Sequence, residues 1–411
     1  MSAPGLETPL DLPCGAVVKN RILKSAMSEQ LAGPARDPTP GLARLYRTWA
    51  EGGVGLQVTG NVMVERAALG EPGNVVLDGR SDLAAFERWA EAGRSGGTHL
   101  FVQLNHPGKQ SPRYLSKEPV APSAVPLGGR VAKGFNPPRA LTEHEIERIV
   151  EEFATAAGLA QRAGFTGVQI HGAHGYLVSQ FLSPRHNQRT DRWGGSAENR
   201  RRFVLEVYRA IRSAVGGRYP VSIKLNSADF QRGGLDEDES MAVVDALAAA
   251  GVDLIEVSGG TYEAPAMTSG IRGRSTGERE AYFLEYAEKV RARTRARVPL
   301  AVTGGFRSGA AMRGALRSGA TDLVGMARPL ALFPDLPGRL LSDPSAAARF
   351  ERPSTGVAMI DLFSMLDVTW FQAQLERLSR GKPARADLGP WRAVAQTLRR
   401  VGVHAFGPRR A

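Results

Sequence analysis

The chain has 411 residues, 42% of them hydrophobic and 23% charged, a balance that supports one large buried core with at most a small appendage. Its net charge is +12, but the arginines are spread along the chain, which describes a solvated basic surface and not a nucleic-acid interface. The single cysteine, Cys14, excludes an internal disulfide and a cysteine-held iron–sulfur cluster, so any redox chemistry must come from an organic cofactor or a metal site without thiolates.

Short apolar runs rich in Val, Ile and Leu alternate with amphipathic stretches of helical length, which predicts βα units on a parallel sheet. Strands are expected over residues 21–27, 55–63, 100–104, 167–171, 221–225, 254–257, 300–303 and 322–325. Helices are expected over 41–51, 82–93, 142–163, 196–214, 237–249, 280–293 and 308–317, and from Pro329 onward. Glycines at 164, 251 and 319 stand where helices stop, as residues that accept the left-handed conformation do. Eight such units predict a closed (β/α)8 barrel, a TIM barrel, rather than an open sheet. The first strand also lacks the G-x-G-x-x-G turn that opens a doubly wound dinucleotide-binding sheet.

The third strand is followed by an unusually long, Pro-rich connection that runs to the helix at Thr142. Insertions at that end of a barrel lie over the mouth, so this one is expected to cap the site. Beyond about Ser345 the pattern loosens. The organisation expected is a barrel over residues 1–345 and a C-terminal helical extension over 346–411, with a helix around Trp370 and Phe371 and then a basic tail. The extension is expected to pack on the barrel or to serve a homo-oligomer interface. No apolar run reaches bilayer length, and no basic region followed by an apolar core opens the chain, so a cytoplasmic, soluble protein without a membrane partner is expected.

In a barrel the chemistry collects at the C-terminal ends of the strands. Thr303-Gly304-Gly305-Phe306 follows the seventh strand, and Gly325-Met326-Ala327-Arg328-Pro329 spans the end of the eighth. These loops are the usual phosphate site of the fold, with glycine backbone N–H groups and the Arg328 charge as anion ligands; two ordinary tight turns are the plainer reading. The fourth strand runs into His171-Gly172-Ala173-His174-Gly175-Tyr176. Two histidines three apart can both donate to one carbonyl oxygen or anion, and Tyr176 can deliver a proton. A zinc pair is the rival, but its spacing would be i, i+4 and no carboxylate partner stands nearby; structural loop histidines are the other alternative. Gln103 can satisfy both edges of a heterocycle and Lys224 can neutralise charge developing on it, or each is a capped loop residue. Ser196 and Glu198 read as a helix start, so Asn199, Arg200 and Trp193 are assigned to structure.

The run HGAHGYLVSQFLSPRHNQRTDRWGGSAENRRRF from His171 to Phe203 closely resembles the signature of the old yellow enzyme (NADH:flavin oxidoreductase) family. KNRILKSAMS, QLNHPGKQ, AVTGGF and DLVGMARPL resemble further motifs of that family, in its order and in register with the predicted strands. The resemblance covers about residues 10 to 340. It implies noncovalent FMN, NADH or NADPH as electron donor, and a small electron-poor alkene as substrate. It implies that His171 and His174 hold the substrate's activating carbonyl or nitro group and that Tyr176 protonates the α carbon. Gln103 corresponds to the glutamine on the flavin pyrimidine edge, and Lys224 to a basic residue near N1 and O2. Ala26, Met27, Ser28 and Gly60 correspond to contacts of the isoalloxazine ring, and Gly304, Gly305, Ala327 and Arg328 to the phosphate site. No metal is implied. Ala26 departs from a common proline, and Ser28 from a threonine or cysteine, though its hydroxyl can still donate to the flavin O4. Glu29 and Gln30 stand where one subgroup has residues shaping the substrate pocket. The function expected is therefore an FMN-dependent ene-reductase. Two rival readings are a cofactor-free lyase or isomerase acting on a phosphorylated substrate, with Lys224 as its candidate nucleophile, and a flavin- or nucleic-acid-binding protein without turnover.

Overall fold

The computed structural model describes residues 4–259, 261, 263, 284–294, 298–351, 353–363 and 365–401. Eight strands hydrogen-bond in parallel around a closed ring: β1 Ile22–Lys24, β2 Leu56–Met63, β3 His99–Asn105, β4 Gly167–Gly172, β5 Val221–Asn226, β6 Leu254–Ser258, β7 Leu300–Thr303 and β8 Leu323–Met326. The pairing of β8 with β1, in which Gly325 faces Leu23, closes the ring. The helices around it are α1 Pro40–Glu51, α2 Leu83–Gly93, α3 Glu143–Arg162, α4 Ala197–Val215, α5 Glu237–Ala250, α6 Leu284–Thr294, α7 Gly309–Arg317 and α8 Arg328–Leu332. The chain continues through α9 Leu336–Ser342, α10 Ala358–Phe363, α11 Leu366–Ser379 and α12 Pro390–Val401. The (β/α)8 barrel expected from the sequence is the fold. The expected start of the sixth helix at Glu280 and the tail beyond residue 401 lie outside the described residues.

Helix starts follow local chemistry. Thr142 caps α3 through the Glu145 amide, and the Glu145 carboxylate accepts the Thr142 N–H at 2.9 Å, a reciprocal box. Ser196 caps α4 by accepting the Asn199 N–H, as the sequence predicts. Trp193, 3% exposed, packs on Phe203, and Arg200 donates to the carbonyls of Leu182 and Gly195.

Alternation along the strands sorts their side chains into an outer and an inner set. The outer set packs under the helices in the main core. The inner set forms layers. At the lower end Leu23, Leu56, Val58, Phe101, Leu254, Ala301 and Leu323 pack with Leu10, Leu12 and Val18. Leu10 and Val18 face each other in a short antiparallel pairing of Leu10–Asp11 with Val17–Val18, which with the adjoining Leu12 plugs that end of the barrel. Two residues further along each strand the inner positions turn polar: Ser25, Gln103, Gln169, Lys224, Glu256 and Thr303, all buried apart from the half-buried Thr303. A bulge at Thr59–Gly60 breaks the β2–β3 register between Val58 and Asn61 and returns Asn61 to the inner face.

The Pro-rich insertion carries a 3-10 turn, Gly129–Gly134, and a parallel pairing of Val120–Ala121 with Arg139–Ala140. It is pinned to the loop after β4, where Lys109 Nζ reaches His186 Nδ1 at 2.8 Å and Arg189 donates to the carbonyls of Pro122 and Leu141. Burial, with Lys109 and Arg185 beside it, pushes the His186 imidazole down to about 3, so this ring is neutral in the fold. Among the described residues no helix is long and apolar enough to cross a membrane.

Candidate active site

One deep pocket opens at the C-terminal ends of the strands. Its wall gathers Ala26, Met27, Ser28, Gln103, His171, His174, Tyr176, Lys224, Gly304, Gly305, Ala327 and Arg328 from six separated stretches of sequence. Of the residues expected at the site, only Gly60 is elsewhere. It lies in the β2 bulge, beside a neighbouring small cavity, and its N–H donates to the Tyr46 hydroxyl at 2.9 Å. A Cβ there would fall 2.0 Å from Glu29 Oε2 and 2.3 Å from the Met27 carbonyl, so glycine lets the Ala26–Glu29 loop close against the bulge.

The two histidines and the tyrosine sit edge-on to one another. The His171 ring centroid is 5.1 Å from that of His174 and 4.8 Å from that of Tyr176. His171 Nδ1 accepts the Ala173 N–H at 3.4 Å, which leaves the proton of a neutral ring on Nε2. His174 holds a left-handed backbone (φ 62°), stays there because its N–H donates to Asn226 Oδ1, and meets Ser258 Oγ through Nε2 at 2.8 Å. The insertion covers Tyr176, whose ring packs with Leu127, Val131 and Phe135. Asn61 Nδ2 donates to its hydroxyl oxygen at 3.2 Å, a bond that uses the oxygen's lone pair and not its proton. Among the described residues no group of three or more His, Cys, Asp or Glu side chains is placed to hold a metal ion.

Below these residues the polar inner layer is one hydrogen-bonded belt. Gln103 Nε2 donates to Gln169 Oε1 at 2.7 Å, and Gln169 Nε2 to Glu256 Oε2 at 2.8 Å. Glu256 Oε1 accepts from Ser25 at 2.5 Å, Thr303 at 2.6 Å and the Lys224 ammonium at 2.9 Å, and Lys224 also donates to Ser25 Oγ at 2.8 Å. Burial alone would raise the Glu256 carboxyl, but Lys224 and the donated hydrogen bonds hold it below its ordinary value. Gly325 is part of this fit, since a Cβ there would lie 1.8 Å from Thr303 Oγ1.

Glu256 was not among the residues singled out from the sequence. Its signal is a lone acid in the apolar run Leu254–Ser258, at the same parity as the inward Leu254. Ser28 also differs from expectation. Its hydroxyl is hydrogen-bonded to the buried Glu71 carboxylate, a stronger acceptor than a neutral carbonyl. Glu29 turns away from the pocket into a buried group with Lys24 and Tyr46, where the Lys24 ammonium also lies 4.4 Å from the Trp49 ring. Burial pushes that ammonium down to about 8 against the pull of Glu29. Glu29 is therefore a brace for the loop after β1, with no side-chain part in the pocket.

The pocket's remaining wall comes from beyond residue 345. Phe350, Asp367, Val368, Phe371, Gln372 and Leu375 line it from the side of Met27 and Arg328. Gln372 Nε2 donates to the Glu29 carbonyl at 3.3 Å, and the Arg307 guanidinium lies 4.6 Å from the Phe350 ring centroid.

The pocket suits FMN on its own terms. Gln103 Oε1 is buried with no hydrogen-bond partner, an acceptor that a ring N–H would satisfy. Gly304 and Gly305 hold positive φ of 144° and 84° and bring backbone close to Arg307 and Arg328, as an anionic tail requires. The five-residue α8 adds little dipole of its own, so the arginine charge dominates there.

Comparison with known proteins agrees. The model of the NADH:flavin oxidoreductase / NADH oxidase family matches residues 6–344. The chain is similar to the NADH-dependent flavin oxidoreductase iliE of Hypocrea jecorina (strain QM6a), with 40% identity over 353 residues that cover 80% of this chain and 87% of that protein. Among solved structures it is similar to morphinone reductase, with a TM-score of 0.70, 28% identity and coverage of 86% and 93% of the two chains. It is also similar to an old yellow enzyme homologue from Zymomonas mobilis, with a TM-score of 0.72, 26% identity and coverage of 84% and 94%.

Proposed function

The chain belongs to the NADH:flavin oxidoreductase / NADH oxidase family, an FMN- and NAD(P)H-dependent oxidoreductase by that membership, and from this premise we propose that it reduces the activated C=C bond of α,β-unsaturated carbonyl or nitro compounds. The observation that carries the proposal is the convergence of His171, His174 and Tyr176 on one pocket wall, above an unsatisfied Gln103 acceptor and beside an arginine-lined loop. When bound, FMN reduced by NADH or NADPH would supply the hydride that adds to the β carbon.

The protein's part is binding, polarisation and protonation. His171 and His174 donate to the carbonyl or nitro oxygen, where negative charge grows as the β carbon gains hydride. Ser258 and Asn226 fix His174 and the Ala173 N–H fixes His171, so these donors need little rearrangement. Tyr176 delivers a proton to the α carbon. Gln103 would hold the ring edge of FMN, Ala26, Met27 and Ser28 would border the ring, Lys224 would face its charge, and Gly304, Gly305, Ala327 and Arg328 would hold its phosphate. Gly60 supports the ring site from behind, through the loop it lets close. The insertion over Tyr176 and α11 opposite restrict water at the pocket.

The cofactor-free lyase or isomerase reading loses its nucleophile, because the Lys224 ammonium is tied to Glu256 and Ser25 and a Schiff base needs a free neutral amine. The test of the proposal is an absorbance spectrum of the purified protein, then anaerobic NADH or NADPH, then cyclohexenone. Flavin bands that bleach with the nicotinamide and return with the enone are expected. A colourless protein that takes up no added FMN would overturn the assignment of this pocket. A flavin that bleaches but is not reoxidised by enones or nitroalkenes would overturn the substrate class alone.

A further inference from the structure

Glu256 is 0% exposed, and its carboxylate collects four hydrogen bonds from four other strand ends. Replacing a buried ion pair with apolar side chains of similar volume is often neutral or stabilising, so stability alone is a weak reason for an acid and an ammonium inside a barrel. The pair is also placed for a purpose. Lys224 lines the pocket, whereas Glu256, its neighbour in the same belt, is fully buried and does not. Of the cations lining the pocket, Arg307 and Arg328 belong to the glycine loops, so Lys224 is the cation of the strand-end floor.

We propose that Glu256 is a positioning residue for the cofactor's charge: it holds the Lys224 ammonium against Ser25 and cancels its charge, so that a ring in this pocket meets a neutral pair and not a bare cation. The inference rests on the reading that FMN occupies the pocket. Two-electron reduction places negative charge on the flavin ring. A bare buried cation beside the ring would stabilise the reduced form strongly, because Coulomb energies are large where water is excluded, and would make it a poorer hydride donor. The neutral pair keeps the donor strong while still fixing where the ammonium sits. The belt through Gln169 to Gln103 gives the carboxylate a second route to the same ring, since it orients the amide whose Oε1 awaits a donor.

The experiment is the midpoint potential of bound FMN, measured between pH 6 and 9 in the wild type, Glu256→Gln, Lys224→Met and the double variant. In Glu256→Gln the potential is expected to move positive at the acid end and to fall back toward wild type as pH rises, because a buried lysine without its counter-ion loses its proton more easily. Lys224→Met, which leaves the carboxylate unbalanced, is expected to lie negative of the double variant. That comparison reads the Glu256 charge in a second background, even if Glu256→Gln alone does not fold. Potentials that coincide between wild type and Glu256→Gln at every pH, or between Lys224→Met and the double variant, would overturn the proposal. Wild-type protein that binds no FMN would instead overturn the reading on which it rests.

Discussion

Replacing Tyr176 with Phe removes one oxygen from the pocket and leaves almost everything else in place. The ring keeps its packing on Leu127, Val131 and Phe135 and its edge contact with His171. The fold loses the 3.2 Å hydrogen bond from Asn61, worth about 0.5–1.5 kcal/mol. On the proposed mechanism the chemistry loses its proton donor. General acid catalysis of this kind contributes about 10²–10⁴ in rate, or roughly 3–6 kcal/mol at about 1.4 kcal/mol per tenfold. The two effects separate in anaerobic stopped-flow. Reduction of the flavin by NADH or NADPH involves no proton from Tyr176, so its rate is expected to stay within about threefold of wild type, under 1 kcal/mol of barrier. Reoxidation by cyclohexenone is expected to slow by about a hundredfold or more. A reoxidation rate within about tenfold of wild type would refute the assignment, since the barrier change would then be no larger than the loss of one ordinary hydrogen bond. Equal slowing of both half-reactions would also refute it, and would make Tyr176 a residue of pocket shape.

Three further outcomes follow from the same geometry. Phe371→Ala, at a residue 6% exposed that stacks edge-on with Phe350 and Trp370, is expected to cost about 3 kcal/mol of stability and to weaken FMN binding; unchanged flavin fluorescence titrations would detach α11 from the site. Gly325→Ala is expected to destabilise by about 1–3 kcal/mol, because the new methyl overlaps Thr303 Oγ1, and Thr303→Ser in the same chain should not relieve it; thermal melts check both. His186 stays neutral in the fold down to about 3, whereas the unfolded chain takes up its proton near 6.5. The unfolded state then binds more protons, so stability falls with acidity at about 1.4 kcal/mol per pH unit well below 6.5. Glu152, which burial pushes up to about 7, contributes with the opposite sign in the same range, so the slope is read as the difference between wild type and His186→Gln in urea midpoints at pH 7.5 and 5.

The barrel was legible because each strand is a short Val-, Ile- and Leu-rich run and each helix an amphipathic one, and most expected ends fall within a residue or two of the observed ones. The first strand is the exception, expected over 21–27 and observed as Ile22–Lys24. The Ser25 N–H makes the last rung, to the Met326 carbonyl, and the chain then turns into the pocket wall. The site motifs were legible because they follow strand ends. Two features were not. In a strand buried on both faces, apolar pattern does not tell which side faces the barrel axis, so neither Glu256 (inward) nor Lys24 (outward, between β1 and α1) could be assigned to a side. The role of residues after 345 was hidden because α11 finds its partners far away in sequence, as the 343-residue separation of Gln372 from Glu29 shows.

That last contact has a consequence for how such proteins diversify. The stretch that matches the family ends at residue 344, yet α11 forms a face of the same pocket as the strand ends. The hydride chemistry and the shape of the space around it are thus encoded in separate parts of the chain. A substitution or recombination after residue 345 can redraw which molecules fit while His171, His174 and Tyr176, the groups proposed to polarise and protonate, stay where they were. Libraries confined to the barrel loops would leave that face of the pocket unsampled, and a graft of residues 346–401 between relatives is the economical way to move substrate scope without rebuilding the reaction centre.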